Sequence, residues 1–261
     1  MKLLFIGDIF GHAGRRIVAD HVADIRSSQA IDVVIANCEN SAAGFGVTPN
    51  VADELFRLGI DVMTSGNHIW DKREFRSALD ETDRILRPAN YPPNLPGRGT
   101  GTFSANGVTV GVVNLMGRVF MPPVDDPFRV GRELVDDLRA VTKVIVVDVH
   151  AEATSEKMAL GRFLDGSISL LYGTHTHVQT SDEQIFAGGT AYLTDVGMTG
   201  PSDGVIGMES AAVLERFTNA VSERFAVQKT GTRQFCAVVA TIDVATGRAL
   251  DVKRINLRGL A

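Results

Sequence analysis

Short apolar runs alternate with helical stripes through residues 1–80, and most of the runs stop on a polar residue. Lys2–Ile6 reads as a buried strand, and Gly11–Ile25 as a helix with Ile17, Val18, His21, Val22 and Ile25 at helical spacing. Ile31–Ala36 is the second strand. Thr48-Pro49 then predicts a helix start, a hydroxyl cap followed by proline, with Val51, Leu55 and Leu58 facing inward and Gly59 as the stop. Ile60–Met63 is the third strand, and the capping-box spacing of Asp71-Lys72-Arg73-Glu74 predicts a helix after it. The proline-rich stretch Arg87–Gly99 is a connection. Asn106-Gly107 then predicts a hairpin between Gly101–Ala105 and Val108–Leu115. A helix over Val130–Val141, a strand ending at His150, a helix over Ser155–Phe163 and a strand over Ile168–Tyr172 follow. The last third is more β-like, with Gln184–Ala187, Thr190–Leu193 and a hairpin of Cys236–Val244 with Ala249–Ile255. The βαβ start gives parallel strands and the hairpins antiparallel ones. The economical arrangement is therefore two mixed sheets packed together with helices outside, as one domain over residues 1–261.

The run ends carry the chemistry. Asp8 closes the first run, Glu39 follows the second, Asn67 lies in Gly66-Asn67-His68, His150 closes Val144–Val149, and His175 and His177 share Gly173-Thr174-His175-Thr176-His177. In an α/β sheet, functional groups collect beyond the carboxyl ends of the strands, so these residues describe one convergent site. Imidazole with carboxylate and amide oxygens suits zinc, manganese or iron. Glu39 can bridge two cations with its two oxygens. On an extended segment His175 and His177 would face the same way and could serve one metal each. A hydroxide bridging the metals would attack phosphorus in line. His68, next to Asn67, is placed to protonate the leaving alkoxide as general acid. Phe45, between Gly44 and Gly46, is a candidate for stacking on a base, and Arg118 for holding a phosphate.

Composition narrows the partners. A formal charge of −5 and dispersed basic residues give no electrostatic reason to bind duplex nucleic acid or an anionic membrane. Two cysteines, Cys38 and Cys236, make no disulfide framework and suit a reducing cytoplasm, where the protein is expected to act. The start of the chain lacks a signal-peptide pattern, and no apolar run is long enough to span a bilayer.

Gly-Asp at Asp8, the acid after strand two, Gly66-Asn67-His68, a lone strand-end histidine and Gly-x-His-x-His, in that order, resemble the calcineurin-like metallophosphoesterases over residues 8–177. Two departures stand out. The usual Asp-x-His reads Asp8-Ile9-Phe10, and the bridging acid is Glu39 in Asn37-Cys38-Glu39-Asn40. Both departures, with Cys38-Glu39-Asn40, Gly66–Asp71 and Asp195–Gly200, resemble the bacterial YmdB-type branch of cyclic-nucleotide phosphodiesterases. The resemblance implies an αββα sandwich. It implies that Asn40 replaces the lost histidine, so that one metal takes Asp8, Glu39, Asn40 and His177 while the other takes Glu39, Asn67, His150 and His175. His68 would be the proton donor. The function implied is dinuclear-metal hydrolysis of 2′,3′- or 3′,5′-cyclic nucleotides, with iron or manganese favoured by the oxygen-rich Asp8 set and zinc admitted. A phosphomonoesterase (a nucleotidase or a protein phosphatase) is the same-class alternative. A regulatory RNA-associated protein with a residual metal site is the alternative from another class. The β-rich last third also offers a surface for a homo-oligomer.

Overall fold

The computed structural model describes residues 1–219 and 224–260, so the expected single domain over 1–261 extends past the described residues. In chain order the elements are β1 Lys2–Ile6, β2 Asp8–Ile9, α1 Gly11–Gln29, β3 Val33–Asn37, α2 Pro49–Arg57, β4 Val62–Thr64, α3 Phe75–Ala78, β5 Thr100–Ala105 and β6 Val108–Met116. Then come α4 Pro127–Arg139, β7 Val144–His150, α5 Thr154–Phe163, β8 Leu170–Thr174, β9 Gln184–Ile185, β10 Ala191–Leu193, β11 Met198–Pro201, α6 Ser210–Asn219, β12 Arg233–Ile242 and β13 Ala249–Leu260.

These strands make two mixed sheets. The first has seven strands in the order β2-β11-β12-β1-β3-β4, with β13 also on β12; the second has six, β5-β6-β7-β8-β10-β9. β1, β3 and β4 run parallel, as do β6, β7, β8 and β10, while β12 crosses back antiparallel to β1.

Alternation along each strand explains the sandwich. Leu3, Phe5, Val33 and Ile35 pack with Val144, Val146, Leu170 and Tyr172 in one core between the sheets. Their neighbours Leu4, Ile6 and Val34 face outward against Ile17, Val18 and Val22 of α1. On the other side Ile145, Val147 and Leu171 face Val135 and Leu138 of α4 and Leu160 of α5. Strands buried on both faces read as unbroken apolar runs, which is how they appear in the sequence. The expected αββα layering is therefore what the chain adopts.

Local signals set several boundaries. Thr48 Oγ1 accepts from the Val51 amide at 3.3 Å, capping α2 as its sequence predicts. Asn106 and Gly107 both take positive φ (52° and 77°), the requirement of a tight two-residue hairpin. The helix expected from Asp71 shrinks to the four residues of α3, without a side-chain cap. Asp71 is otherwise engaged: its carboxylate lies 2.8 Å from His68 Nδ1. Among the described residues no helix is long and apolar enough to cross a membrane.

Candidate metal centre

The inward-facing rows turn from apolar to polar as they approach the carboxyl ends of the strands. On β7 the row is Val144, Val146, Asp148, His150; on β8 it is Leu170, Tyr172, Thr174; on β3 it ends with Asn37. Asp148 is fully buried there, accepting from Thr174 Oγ1 at 2.8 Å and from the Thr64 hydroxyl, with Asn37 Nδ2 at 3.5 Å. Burial pushes its carboxyl up to about 7, against the Thr64 hydrogen bond, which pulls it down. This polar layer closes the inter-sheet core and supports the residues above it.

Four donors converge on that layer. His150 Nε2 lies 3.1 Å from Glu39 Oε1, 3.0 Å from Asn67 Oδ1 and 3.0 Å from His175 Nδ1. The opposite ring nitrogen of each histidine is tied to an acceptor. His150 Nδ1 is 3.0 Å from Thr174 Oγ1, which gives its own hydrogen to Asp148 and so accepts. His175 Nε2 is 3.2 Å from Glu152, and His177 Nδ1 is 2.9 Å from the Ile206 carbonyl, which can only accept. Each histidine thus turns its far nitrogen to an acceptor, so that in the neutral ring, the form that binds a cation, the lone pair sits on the near one.

Lone pairs 3.0 Å apart repel unless positive charge lies between them. Burial opposes an imidazolium at His150, but Glu39 and then Asp8 override it and push the group up to about 9. Burial and then His150 drive His175 down to about 3, leaving it a neutral donor. Burial also opposes ionisation of Glu39, yet His150 and His68 hold it down to about 2. In a metal-free cluster, then, a proton on His150 supplies the charge that a bound cation would carry. Gly66 is required by this crowding: a β-carbon there would overlap the His150 ring and the Glu39 carboxylate.

Asp8, Asn40 and His177 are arranged more loosely. Asp8 is buried, with Oδ2 accepting from the His175 amide at 3.2 Å and Oδ1 unpartnered. Burial raises its carboxyl, countered by His177 and His150. Asn40 Nδ2 donates to the Gly44 carbonyl at 3.1 Å, while its buried Oδ1 has no partner. Two orphaned buried oxygens beside three histidine lone pairs are a donor set that suits a cation. The tight cluster, with donor atoms within 4.8 Å of one another, is Glu39, His150 and His175.

One expectation is corrected. His175 and His177 do not lie on an extended segment; both have left-handed backbone, φ 100° and 65°. His175 therefore turns to His150, and His177 to Phe10, whose ring it meets edge-on at 5.4 Å. Such backbone is strained for non-glycine residues and must be held. Lys157, from α5, does this: its Nζ donates to the Thr174 carbonyl at 2.8 Å and to Asp195 at 2.7 Å, and Asp195 accepts from the Thr176 amide and hydroxyl. Sequence reading missed Lys157 and Glu152, because isolated charges read as surface, and it met Asp195 only as the start of the Asp195–Gly200 phrase, without a role. Asp148 carried a signal, as the one charge inside an apolar run.

Glu39, Asn40, His68, His175 and His177 line a cleft of about 610 Å³. The His68 amide donates to Glu39 Oε2 at 3.0 Å, its ring is oriented by Asp71, and Phe45 lies against it at 5.1 Å. Arg118 is not among the residues lining this cleft. Its guanidinium is 3.7 Å from Asp126, and Arg216, overlooked in the sequence, is the arginine that lines it.

Comparison with known proteins places the chain in a family and a fold. A family model described as YmdB-like protein matches residues 4–255. The 2′,3′-cyclic-nucleotide 2′-phosphodiesterase of Bacillus subtilis (strain 168) is 44% identical over 255 residues, covering 98% of this chain and 96% of that protein. The crystal structure of a hypothetical protein from Thermus thermophilus superposes with a TM-score of 0.93 at 40% identity, covering 99% of this chain and 100% of that one. A novel phosphatase from Mycoplasma pneumoniae gives a TM-score of 0.93 at 34% identity, covering 99% and 93%. The resemblance read from the motifs is borne out over nearly the whole chain.

Proposed function

The chain belongs to the YmdB-like family, and from that premise we propose that it is a metal-dependent phosphodiesterase that opens 2′,3′-cyclic nucleotides at the 2′-oxygen. The similarity to the Bacillus enzyme supplies the substrate class. The observation that carries the reading to these residues is that His150, His175 and His177 each have the far ring nitrogen on an acceptor, which leaves the near nitrogen for a cation.

Glu39, Asn67, His150 and His175 would hold one divalent cation, and Asp8, Asn40 and His177 a second, with Glu39 common to both. The oxygen-rich second set favours iron or manganese, with zinc admitted. Bound there, the cations supply Lewis acidity toward the phosphoryl oxygens and an activated water. The chain's own contribution is orientation and proton transfer. His68 has Nδ1 tied to Asp71, so the transferable proton is on Nε2. Water adds to phosphorus, the P–O2′ bond breaks, and the 2′-oxygen takes that proton, leaving a nucleoside 3′-monophosphate. The 3′,5′-cyclic ester carries the same diester anion and is a second substrate class.

The Mycoplasma relative described as a phosphatase keeps a monoesterase reading in view. Against it, Arg216 is the one arginine or lysine among the described residues lining the cleft, where a terminal dianion calls for several. Protein loaded with manganese or iron is assayed on 2′,3′-cyclic AMP with the products separated. The expected product is 3′-AMP. Formation of 2′-AMP overturns the bond assignment, and turnover of phenyl phosphate without any cyclic nucleotide overturns the diesterase reading.

A further inference from the structure

The cleft has two unlike sides. Its floor is the polar cluster; the rest of its lining is an apolar wall, with Ile206, Val213, Phe217, Phe225 and Phe45. The wall is anchored, since Phe10, Met198, Met208 and Val213 form a small buried core against which Phe45, Val205 and Phe225 pack. Two wall residues nonetheless stay open to solvent, Ile206 at 53% and Phe217 at 83% exposure.

Ile206 is the informative one. It is β-branched and left-handed, φ 45°, a conformation that glycine or asparagine adopts at less cost. Its carbonyl holds His177 Nδ1 at 2.9 Å, which accounts for the backbone but not for the side chain. A half-exposed isoleucine gains little from core burial there, so its side chain is left open to contact with a ligand in the cleft. Arg216 lies in the same wall, its guanidinium 5.2 Å over the Phe225 ring, adding a flat donor surface without a carboxylate partner on the described side chains.

We propose that this wall is a nucleobase subsite: Ile206, Phe217 and Phe45 cover the faces of the base, and Arg216 donates to acceptors on its edge. The inference rests on the diesterase reading, because a charged ester on the polar floor leaves an apolar wall with only an uncharged planar group to receive. The cleft volume matches a site for one small ligand. Base stacking on aromatic side chains tolerates every base, so purines and pyrimidines should both be accepted. The same base and ester occur in a free cyclic nucleotide and at the 3′ end of an RNA bearing a cyclic phosphate.

The test compares 2′,3′-cyclic AMP with 1-O-methylribose 2′,3′-cyclic phosphate, which keeps the ester and lacks the base. Wild-type protein, Phe217→Ala and Ile206→Gly are assayed metal-loaded, with Leu250→Ala as an exposed apolar control away from the cleft. The ratio of kcat/KM for nucleotide over base-free ester should fall about tenfold or more in Phe217→Ala and Ile206→Gly, through KM, and stay at the wild-type value in Leu250→Ala. An unchanged ratio in both cleft variants overturns the subsite. A trinucleotide ending in the cyclic phosphate distinguishes the sources: faster turnover than the mononucleotide, with the same variant losses, assigns the base to an RNA end, and slower turnover assigns it to the free nucleotide. If wild type cleaves neither ester, the diesterase reading fails, and calorimetric binding of 3′-AMP decides the subsite alone. Binding weakened about tenfold by Phe217→Ala upholds it, and equal binding overturns it.

Discussion

Neighbouring residues in Gly66-Asn67-His68 have different partners and so different expected losses. Asn67 Oδ1 faces His150 Nε2 at 3.0 Å, inside the donor cluster, whereas the His68 ring points to Asp71 and the cleft. Asn67→Ala should lower bound metal and activity together. His68→Ala should retain its metal, read by elemental analysis, and lose about 10²–10⁴ in rate on cyclic AMP. Its defect should shrink on bis-p-nitrophenyl phosphate, whose leaving group needs no proton. Metal loss from His68→Ala, or equal defects on the two esters, would sink the acid assignment. The cysteines are a contrasting case. Cys38 and Cys236 are both fully buried, and burial drives the Cys38 thiol far up and Cys236 up to about 12. At about pH 8 neither is a thiolate, so a thiol reagent should label neither cysteine in the native protein and both in denaturant. Rapid native labelling of Cys38 would contradict its burial at the end of β3.

The elements that deliver the site were legible because of how strands are buried. A strand covered on both faces is an apolar run, and the run's end marks where its backbone emerges, so Asp8, Glu39, His150 and His175 could be placed before any fold was known. Three features were not legible. The 175–177 turn is left-handed at both histidines, a conformation that no local pattern in His-Thr-His announces. Asp71 forgoes a capping role because His68 takes its carboxylate, a tertiary contact that overrides a local signal. α6 escaped because only Val213 of its ten residues is buried, leaving no inner stripe to detect. The turn also depends on an element far from the chemistry. α5 holds it through Lys157 and Asp195, a pair whose side chains are each 1% exposed. Removing one partner strands the other charge, at a cost of about 3–5 kcal/mol. Lys157→Met should therefore lose about that much stability in urea unfolding and reduce metal content, while Lys157→Arg recovers part of both. A Lys157→Met protein as stable as wild type would show that the clamp does not hold the turn.

At the scale of the whole molecule, the site is a seam between the two sheets. Asp8, Glu39, Asn40 and Asn67 follow β1, β3 and β4 of the first sheet, while His150, His175 and His177 belong to β7 and the segment after β8 of the second. Below them Asn37, Thr64, Asp148 and Thr174 join the sheets by hydrogen bonds, above a core that is otherwise apolar. A cation bound across this seam is attached to both sheets, and in the unfolded chain the same ligands are scattered from residue 8 to residue 177. Binding to the folded state alone stabilises it by mass action, about 2.7 kcal/mol for one site at a hundredfold excess over Kd. For a chain of this length that corresponds to roughly 5–10 °C in Tm. Chelation should lower the melting temperature by at least that much, and manganese or iron should restore it. Asn67→Ala separates this effect from general damage: its metal-free form should melt close to metal-free wild type, since the side chain's main partner is the cluster, yet it should recover less on adding metal. Identical melting of the chelated and metal-loaded wild type would mean that the seam holds no cation, and the proposed activity would lose its basis along with the stabilisation.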